Sequence, residues 1–470
     1  MASADENGTQ DWVPARLIPA GKMRPEEQET KATSVLLAVL PVVPDFGQAL
    51  LRDLKAPKGR ISTFTEVRLK DSRGKAHIPD GAIVVERGKT RWSCLVEVKT
   101  GRATLDPSQV ERYLEMAREH GFDALLTISN QIRSDAESLP YEVDKRKVGK
   151  LIVRHTSWWR ILTEAVVQHR FRGVSDPEQA WILGELVRYL DDPRSGASGF
   201  EGMGENWVRV RDAARTGTLR STDDGAQAVA ARWEQLVEYL CLHLSQELGV
   251  DVKQVKPRRK SALERVAEST QQLAENGILE RAIKVPDAIG PIHLEANLQA
   301  RLVTTSVELD APKDMKLPKT KVNWLLRQLK EAPDDLRIEV RFSSSRQTTS
   351  ELLGDCRDDP GCLLNPDDPK REPRTFTLAR SMPMAKKGGL DKGSFAAGIR
   401  KQATDFYRDL VQDLMPPQPK APKLPSMKDQ QQPPTDEARP TRTEAEAVKS
   451  QSEGLGDLAE LEADGLIDPG

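Results

Sequence analysis

Residues 77–99, HIPDGAIVVERGKTRWSCLVEVK, hold the side chains best suited to chemistry. Asp80 precedes one short apolar segment, and Glu97 and Lys99 close the next one. Side chains alternate along a β-strand, so Glu97 and Lys99 are predicted to lie on one face. Two such segments joined by a polar turn are typical of a hairpin, in which the first strand starts beside the end of the second. The pattern therefore predicts that Asp80 and Glu97 meet at one end of a sheet.

The chemistry expected of this group is metal-assisted hydrolysis of a phosphodiester. Two adjacent carboxylates repel each other, and one tends to keep a proton unless a cation joins them. Mg²⁺, with Mn²⁺ as a substitute, suits the oxygens of Asp80 and Glu97, and the Val98 carbonyl on the same edge is a further candidate ligand. Such an ion acidifies a bound water and neutralises charge on the phosphate. Lys99 is predicted to orient or deprotonate that water, or to stabilise the pentacovalent state.

The spacing of these residues resembles a known signature. Pro79-Asp80, followed by sixteen residues and then Glu97-Val98-Lys99, resembles the motif of the PD-(D/E)XK nuclease superfamily. The order of predicted elements also resembles the restriction-endonuclease-like αβββαβ core of that superfamily. The resemblance implies that Asp80 and Glu97 bind the metal and that Lys99 is catalytic. It covers about the first third of the chain and leaves the rest without a predicted role.

Three further residues enter through the same resemblance. Gln109 and Tyr113, spaced Q-x-x-x-Y on the next predicted helix, resemble the additional motif of the RecB-like branch. By that likeness Gln109 would orient the lysine or the substrate, and Tyr113 would pack against or contact the nucleic-acid backbone. Glu66, on the strand before Asp80, is a candidate for the extra metal-binding acid of the family. Many members carry that acid on the first helix, where residues 34–54 offer only Asp45 and Asp53.

Simpler interpretations stand beside these. Asp80 in Pro-Asp-Gly is also typical of a turn. Glu97 and Lys99 would then be the solvated edge of a strand, and Gln109 an ordinary residue on a helix surface.

The elements needed to position the site are predicted from apolar spacing and from the Pro and Gly that interrupt it. A helix or helix pair over 34–54 is broken near Pro41 and Pro44, and Asp106 with Pro107 opens a later helix. The order of helices and strands indicates an α/β sandwich with a mixed sheet. The predicted strands are 62–69, 80–86, 93–99, 124–129 and 150–156, and the other predicted helices are 106–121 and 157–170.

The whole chain of 470 residues is too long for one ordinary domain. Eight prolines between Pro416 and Pro440 indicate an extended linker, and residues 194–225 are predicted to form a loop. The predicted organisation is a disordered lead-in (1–32), a PD-(D/E)XK nuclease-like domain (33–172), a helical region (173–262), an α+β domain of unknown role (263–415) and a disordered Pro-rich and acidic tail (416–470).

Two basic clusters are candidates for binding nucleic-acid phosphates. The alternative for both is a solvated run of charge. Trp158 and Trp159 could stack on bases, although two tryptophans on a predicted helix are more often core residues. The basic candidates are Lys145, Arg146, Lys147 and Lys150 in the first cluster, with Arg154 and Arg160 after it, and Arg258, Arg259 and Lys260 in the second.

Composition bounds the class of protein. Hydrophobic residues make up 38% of the chain and charged residues 30%, and no apolar stretch reaches the roughly 20 residues that a membrane helix needs. Four cysteines fit a reducing cytoplasm. The tail from Pro416 carries six basic and eleven acidic residues, although the net charge of the chain is only −2, so the rest is mildly basic.

These observations together predict a cytoplasmic, Mg²⁺-dependent deoxyribonuclease that acts in restriction, repair or defence against foreign DNA. RNA as the substrate stays open, as do homo-oligomerisation and a protein partner for the acidic tail. The alternative is a non-catalytic protein that uses a nuclease fold to bind nucleic acid or to act as a scaffold.

Overall fold

The computed structural model describes residues 15–19, 21, 23–133, 139–197 and 199–417. The described residues up to Pro417 form one compact unit. The predicted disorder of residues 1–14 and nearly all of the predicted tail lie outside the described residues, as does the side chain of Lys145.

The N-terminal part is the mixed α/β arrangement that the sequence predicts. Five strands form one sheet in the order β1-β4-β5-β6-β7, with antiparallel pairing from β1 to β5 and parallel pairing from β5 to β7. In chain order the elements are α1 (Pro25–Val42), α2 (Pro44–Leu51), β1 (Arg60–Thr65), β2 (Leu69–Lys70), β3 (Ala76–His77), β4 (Gly81–Arg87), β5 (Thr90–Val98), α3 (Pro107–Glu119), β6 (Ala124–Ser129), α4 (Lys145–Val148), β7 (Ile152–Ser157) and α5 (Trp158–Val167).

Helices cover both faces of this sheet. Alternate residues of the central strands point to opposite sides, so Val96 of β5 packs with the helices α1, α2 and α5, whereas Leu95 packs with α3. The Asp106 side chain accepts a hydrogen bond from the Ser108 amide at 3.0 Å, so Asp106 is the N-cap predicted for α3.

The first helix starts earlier than the sequence predicts. Helix α1 begins at Pro25, so the prediction of disorder is wrong for residues 25–32. Pro41 lies inside the helix without ending it, and the break falls at Val43, before Pro44 opens α2. In the described part of the chain, no single helix is long and apolar enough to cross a bilayer; α1 and the segment 44–54 pass that test only as a pair bent by 112°.

Strand β1 ends sooner than predicted. The predicted strand 62–69 is interrupted at Glu66, which has a φ of 52°. A positive φ is uncommon for a residue with a side chain and incompatible with an extended strand. The chain therefore leaves the sheet at Glu66 and forms the small β2–β3 hairpin before it returns as β4.

Helices dominate the next segment, which consists of α6 (Pro177–Asp191), α7 (Trp207–Arg215) and α8 (Asp224–Leu248). The predicted loop 194–225 is wrong where it contains α7. Trp207, Val210 and Ala214 recur at helical spacing and are buried, so this helix is stabilised by one apolar face.

The C-terminal part is a seven-stranded antiparallel sheet in the order β13-β12-β14-β11-β10-β9-β8. Its core also contains residues of α7 and α8, so the predicted helical and α+β regions share one hydrophobic core. The elements are β8 (Lys253–Gln254), α9 (Ala262–Asn276), β9 (Ile278–Lys284), β10 (Ile292–Asn297), β11 (Leu302–Asp310), α10 (Pro318–Gln328), β12 (Arg337–Phe342), β13 (Thr348–Leu352), α11 (Leu353–Asp358), β14 (Pro373–Pro383) and α12 (Phe395–Asp409).

Candidate active site

The hairpin β4–β5 brings the predicted acids together. Gly81 pairs with Val96, so Asp80 lies at the mouth of the hairpin, next to Glu97. The Asp80 Oδ2 atom accepts a hydrogen bond of 2.7 Å from the backbone amide of Val98. The prediction that Asp80 and Glu97 meet at one end of the sheet is confirmed by this geometry.

Lys99 lies at the centre of the group. Its Nζ atom donates to Glu97 Oε1 at 2.8 Å, to the Val98 carbonyl at 2.9 Å and to Glu29 Oε1 at 2.9 Å. The Lys99 side chain is only 15% exposed and that of Glu97 1% exposed, so these interactions are largely shielded from water. The Lys99 ammonium therefore links oxygens of strand β5 to a carboxylate of helix α1 by hydrogen bonds.

The charges of this group do not balance. Glu29, Asp80 and Glu97 are three carboxylates beside one ammonium, which leaves an excess of negative charge in a partly buried place. The pKa of Glu97 is raised to about 8, chiefly by burial and then by the charge of Asp80, while Lys99 opposes the shift. Burial also raises the pKa of Glu29. Burial alone would lower the pKa of Lys99, but Glu97 and Glu29 outweigh it, and the net pKa lies above the ordinary value.

The excess of negative charge has its largest effect where Asp80 lies next to Glu97. The Glu97 Oε2 atom is buried and has no hydrogen-bond donor. The charge of Asp80 acts on Glu97 and opposes its ionisation, and two ionised carboxylates offer only acceptors to each other. The pair thus requires either a shared proton or a cation, as expected for two carboxylates in one site.

Glu29 is the acid that the sequence analysis missed. It lies on α1, in the segment 25–32 that was predicted to be disordered. The polar run PEEQETKAT at the start of α1 shows no apolar periodicity, although Pro25 followed by two glutamates is a helix-start signal. That signal would have extended the helix and made Glu29 a candidate.

Glu66 does not join the group. It is exposed, and its backbone amide donates to the Asp80 carbonyl at 3.1 Å. Because its positive φ ends β1, its side chain does not continue the inward alternation of the strand. The structure thus places the Glu66 side chain outside the group, whereas the carboxylate of Glu29 contacts Lys99 directly.

Gln109 and Tyr113 stabilise the segment of chain that leads to Asp80. Gln109 Nε2 donates to the Tyr113 hydroxyl at 3.3 Å, and that hydroxyl donates to the Ile78 carbonyl at 3.4 Å. Tyr113 is 7% exposed. It therefore lies in the protein interior rather than on a surface for nucleic acid, and it braces the turn that carries Asp80. Burial is the main cause of the raised pKa of Tyr113, and the charges of Glu97 and Asp80 add to it.

Two contacts fix the backbone at Lys99. The Lys99 amide donates to the Ile128 carbonyl at 2.8 Å, and the Trp158 Nε1 atom donates to the Lys99 carbonyl at 3.0 Å. Trp158 is 1% exposed, so the core interpretation of this tryptophan is confirmed. Trp159 is half-buried and packs on Tyr239 with ring centroids 5.1 Å apart.

A polar row continues from Glu97 across the ends of the parallel strands. Thr127 pairs with Glu97 across β5 and β6, and His155 pairs with Thr127 across β6 and β7. The Thr127 hydroxyl lies 2.9 Å from the Tyr141 hydroxyl and 3.1 Å from His155 Nδ1. Burial raises the pKa of Tyr141 to about 12, and the charge of Glu97 contributes. No local sequence pattern predicts this row, because each of its residues is separated from the next by many positions.

The predicted phosphate-binding residues are placed less uniformly. Arg146 and Lys150 are exposed, whereas Lys147 forms ion pairs with Glu111 at 2.8 Å and Glu115 at 3.1 Å. The second cluster, Arg258, Arg259 and Lys260, lies exposed between β8 and α9, where Lys260 pairs with Glu268.

The carboxylate and carbonyl oxygens of this centre are of the type that a hard cation binds. Among residues 15–133, 139–197 and 199–417, apart from the few gaps, no group of three His, Cys, Asp or Glu side chains has the arrangement of a metal centre. The Lys99 ammonium accounts for this absence. It lies between Glu29 and Glu97 and binds the oxygens that a metal cation would otherwise bind. The Glu97 Oε2 atom has no hydrogen-bond partner and is therefore still available as a ligand for an ion.

The arrangement defines a carboxylate–lysine centre at the edge of a mixed sheet. Comparisons with known proteins add no name to it: no family model matches the chain, and no significant match was found among curated proteins or among solved structures.

Proposed function

We propose that this chain is a metal-dependent nuclease with a restriction-endonuclease-like core of the PD-(D/E)XK type, and that it hydrolyses phosphodiester bonds of DNA. The observation that carries the proposal is the Asp80–Glu97 pair, two neighbouring carboxylates at the mouth of the hairpin with one buried oxygen left without a hydrogen-bond donor. A divalent cation would relieve this repulsion, since a hard ion prefers oxygen ligands.

The surrounding fold supports the same assignment. The element order from α1 to β6, with the acids on a hairpin and Lys99 just after its second strand, resembles the core of that superfamily. The Gln109–Tyr113 pair on α3 resembles the additional motif of the RecB-like branch. These likenesses concern residues 25–167; the seven-stranded sheet that follows is outside them.

The chain's own residues have distinct roles in this proposal. Asp80, Glu97 and the Val98 carbonyl would hold Mg²⁺, or Mn²⁺ in its place, with Glu29 nearby on α1. The ion would supply an acidified water and charge neutralisation at the phosphate. Lys99 keeps its proton at neutral pH because its pKa is raised. It therefore fits the role of a positive charge that orients the water or stabilises the pentacovalent phosphate, rather than the role of a base.

Cleavage assays test the proposal directly. Plasmid, linear duplex and single-stranded DNA would be incubated with Mg²⁺, with Mn²⁺ or with EDTA. We expect the wild type to cut only with metal, and Asp80→Ala to lose cutting. Glu29→Gln should lower the rate by about ten- to a hundredfold, the range found when a partner that orients a metal site is removed.

Matched controls separate the site from its surroundings. Glu66→Gln and Glu26→Gln each remove one exposed carboxylate, from the end of β1 and from α1. Both should cut as the wild type does. Loss of cutting in Glu66→Gln, with Glu29→Gln unaffected, would reverse the assignment of the third acid.

A non-catalytic role is the second candidate. It is favoured by the position of Lys99, whose ammonium already bridges Glu29 and Glu97 and could serve as a permanent internal cation. In that case the wild type would bind DNA without cutting it in Mg²⁺ or Mn²⁺, and Lys99→Met would destabilise the fold.

A further inference from the structure

A basic hairpin connects β1 to the segment that carries Asp80. It consists of residues 67–78, here called the hairpin arm, and contains the paired strands β2 and β3. Its sequence, VRLKDSRGKAHI, holds four basic residues and one acidic residue. Two positive charges remain in excess even when the neighbouring Glu66 is counted and His77 is neutral. The basic residues are Arg68, Lys70, Arg73 and Lys75.

The basic side chains of the hairpin arm are available to a partner. All four of these residues are exposed. In the part of the chain that the structure describes, none of their side chains forms an ion pair, whereas Asp71 pairs with His77 at 3.1 Å. Cations of this kind bind the phosphates of nucleic acids, and each such contact makes the affinity depend on salt.

The hairpin arm is fixed to the protein along its length. Val67 and Leu69 pack against the core between the sheet and α3. The Val67 amide donates to the Pro79 carbonyl at 3.3 Å, and His120 of α3 donates to the Lys70 carbonyl at 2.9 Å. The apolar residues of β2 therefore face the protein, and the basic residues between them are exposed.

The tip of the hairpin arm is held by its backbone. The Asp71 carboxylate accepts hydrogen bonds from the amides of Arg73 at 3.0 Å and of Lys75 at 2.9 Å. The side chains of Arg73 and Lys75 take no part in these bonds. An ordered backbone lowers the entropy lost when such side chains bind a ligand, and substitution of the two side chains leaves the bonds of the tip in place.

Phe64 is an exposed aromatic residue between the hairpin arm and the carboxylate–lysine centre. It pairs with Ala82 across β1 and β4, and Ala82 packs on the α3 side of the sheet, so Phe64 lies on that side as well. Asp80 precedes Ala82 by two residues, and its carbonyl accepts a hydrogen bond of 3.1 Å from the Glu66 amide of the same strand pair. Diagonal neighbours in antiparallel strands are about 7–8 Å apart. Phe64 is therefore close to Asp80, yet it is 53% exposed.

An aromatic ring in this position is suited to stack on a base beside the cut phosphate. Stacking on aromatic side chains is a general means of binding single strands, because every base has a π-face. Within a duplex, both faces of a base are covered by its neighbours. The ring and the basic side chains together therefore fit a strand that is single at the cut site.

We propose that the hairpin arm and Phe64 form the substrate-binding surface of this centre, and that the substrate is DNA with a single-stranded segment at the cut site. The basic side chains of the arm would contact the phosphates, and the Phe64 ring would stack on a base. This inference rests on the proposed nuclease function and narrows its substrate.

Fluorescence anisotropy of a labelled single-stranded oligonucleotide tests the surface on the full chain. EDTA is present, so that binding is measured without cleavage, and the salt concentration is varied. We expect the wild type to bind the single strand more tightly than a duplex with the same number of phosphates. The double variant Arg73→Gln/Lys75→Gln should weaken binding about tenfold and lower the slope of log affinity against log salt by about 1.4, since each phosphate contact on a single strand contributes roughly 0.7.

Arg87→Gln/Lys89→Gln is the matched control for charge. Arg87 and Lys89 are exposed at the turn between β4 and β5, and their substitution changes the net charge by the same amount. Strand β4 separates this turn from Asp80 by roughly 20 Å. The control should keep the affinity and the salt slope of the wild type.

Phe64→Leu tests the ring and keeps an apolar side chain in β1. It should weaken binding of the single strand about fivefold or more, because a stacked base is lost. An abasic strand of equal length, which has the phosphates without the bases, should bind to this variant as it binds to the wild type. Phe171→Leu removes an aromatic ring of similar exposure, 48%, outside the hairpin arm and should bind the single strand as the wild type does.

Four results would overturn the proposal. These are no binding of the single strand by the wild type, duplex binding as tight as that of the single strand, equal losses in the two double variants, and wild-type binding of the single strand by Phe64→Leu. Cleavage assays keep this inference apart from the nuclease proposal. If the wild type cuts DNA while Arg73→Gln/Lys75→Gln and Phe64→Leu bind and cut as it does, the surface is wrong and the nuclease stands. If the wild type binds as expected but does not cut with Mg²⁺ or Mn²⁺, the surface stands and the nuclease is wrong.

Discussion

Lys99 is surrounded by more negative charge than it can neutralise. Its ammonium binds Glu97 and Glu29, while the charge of Asp80 also acts on Glu97. The remaining negative charge is tolerated only if a carboxyl keeps a proton or a cation binds. The ionisation of Glu97 is thus the residue-scale property that couples stability to pH and, under the proposed function, to metal binding.

The first prediction concerns the stability of Glu97→Gln as a function of pH. The pKa of Glu97 is about 8 in the folded chain, against a reference value of 4.5. The folded state therefore holds a proton that the unfolded state loses, and this stabilisation is complete below about pH 4.5 and is lost as the pH rises through 8. The amide of the variant does not ionise. In EDTA, we expect the melting temperature of the variant minus that of the wild type to increase as the pH rises from 5.5 to 8.5.

The size of the effect has an upper limit of roughly 5 kcal/mol, the free energy equivalent of the full pKa shift. The pKa of about 8 already includes the opposing effect of Lys99, so a difference of at most a few kcal/mol is expected. Mg²⁺ should stabilise the wild type at pH 8.5 more than the variant. Parallel melting curves across the pH range would contradict the prediction.

At this scale the sequence predicted much of the centre. Strand alternation placed Glu97 and Lys99, and hairpin geometry placed Asp80, because both rules act over short distances. Glu29 and Thr127 were missed since their place in the centre depends on the packing of α1 and of β6 against β5. Such long-range contacts leave no local pattern in one sequence.

At the scale of elements, boundaries depended on which local signal was stronger. The helix α7 was hidden by flanking Gly, Ser and charged residues, although Trp207, Val210 and Ala214 have helical spacing. Strand β1 was predicted too long because β-branched and apolar residues continue past Glu66, whereas the backbone turns there. The charged or polar residues on the exposed faces of strands β9 and β13 weaken the apolar signal of both strands.

The second prediction concerns a buried charge that joins three elements. Glu234 of α8 is 2% exposed and lies between Arg265 of α9, at 3.4 Å, and Arg281 of β9. The Arg281 guanidinium and the Glu234 carboxylate form a close ion pair without the geometry of a hydrogen bond. Gln254 also donates to Glu234 at 2.9 Å. We expect Glu234→Ala to lower the free energy of unfolding by about 3–5 kcal/mol, because two arginines lose their buried partner.

Urea denaturation followed by circular dichroism measures this loss. Glu268→Ala is the control, since Glu268 forms a surface ion pair with Lys260 and should change stability by about 1 kcal/mol or less. Equal effects of the two substitutions would mean that the buried network does not hold α8, α9 and β9 together.

For the whole molecule, the central feature is the contact between two hydrophobic cores. One core lies between the five-stranded sheet and its helices, and the other under the seven-stranded sheet. Trp159 of α5 packs against both, and its ring meets Tyr239 of α8 at 5.1 Å. Gln246 of α8 adds a hydrogen bond of 2.8 Å to Thr163. The chain was predicted as three successive folded regions, but composition carries no information on how such regions share a core.

The third prediction follows from that contact. The wild type should unfold in one cooperative transition because α5 and α8 link the two cores. Trp159→Ala should lower stability by about 2–3 kcal/mol, less than for a fully buried tryptophan, and should separate the melting of the two sheets. Differential scanning calorimetry measures both effects. Trp181→Ala, which removes a tryptophan that is 51% exposed, should keep a single transition near the wild-type temperature. A single unshifted transition in Trp159→Ala would mean that other contacts couple the cores.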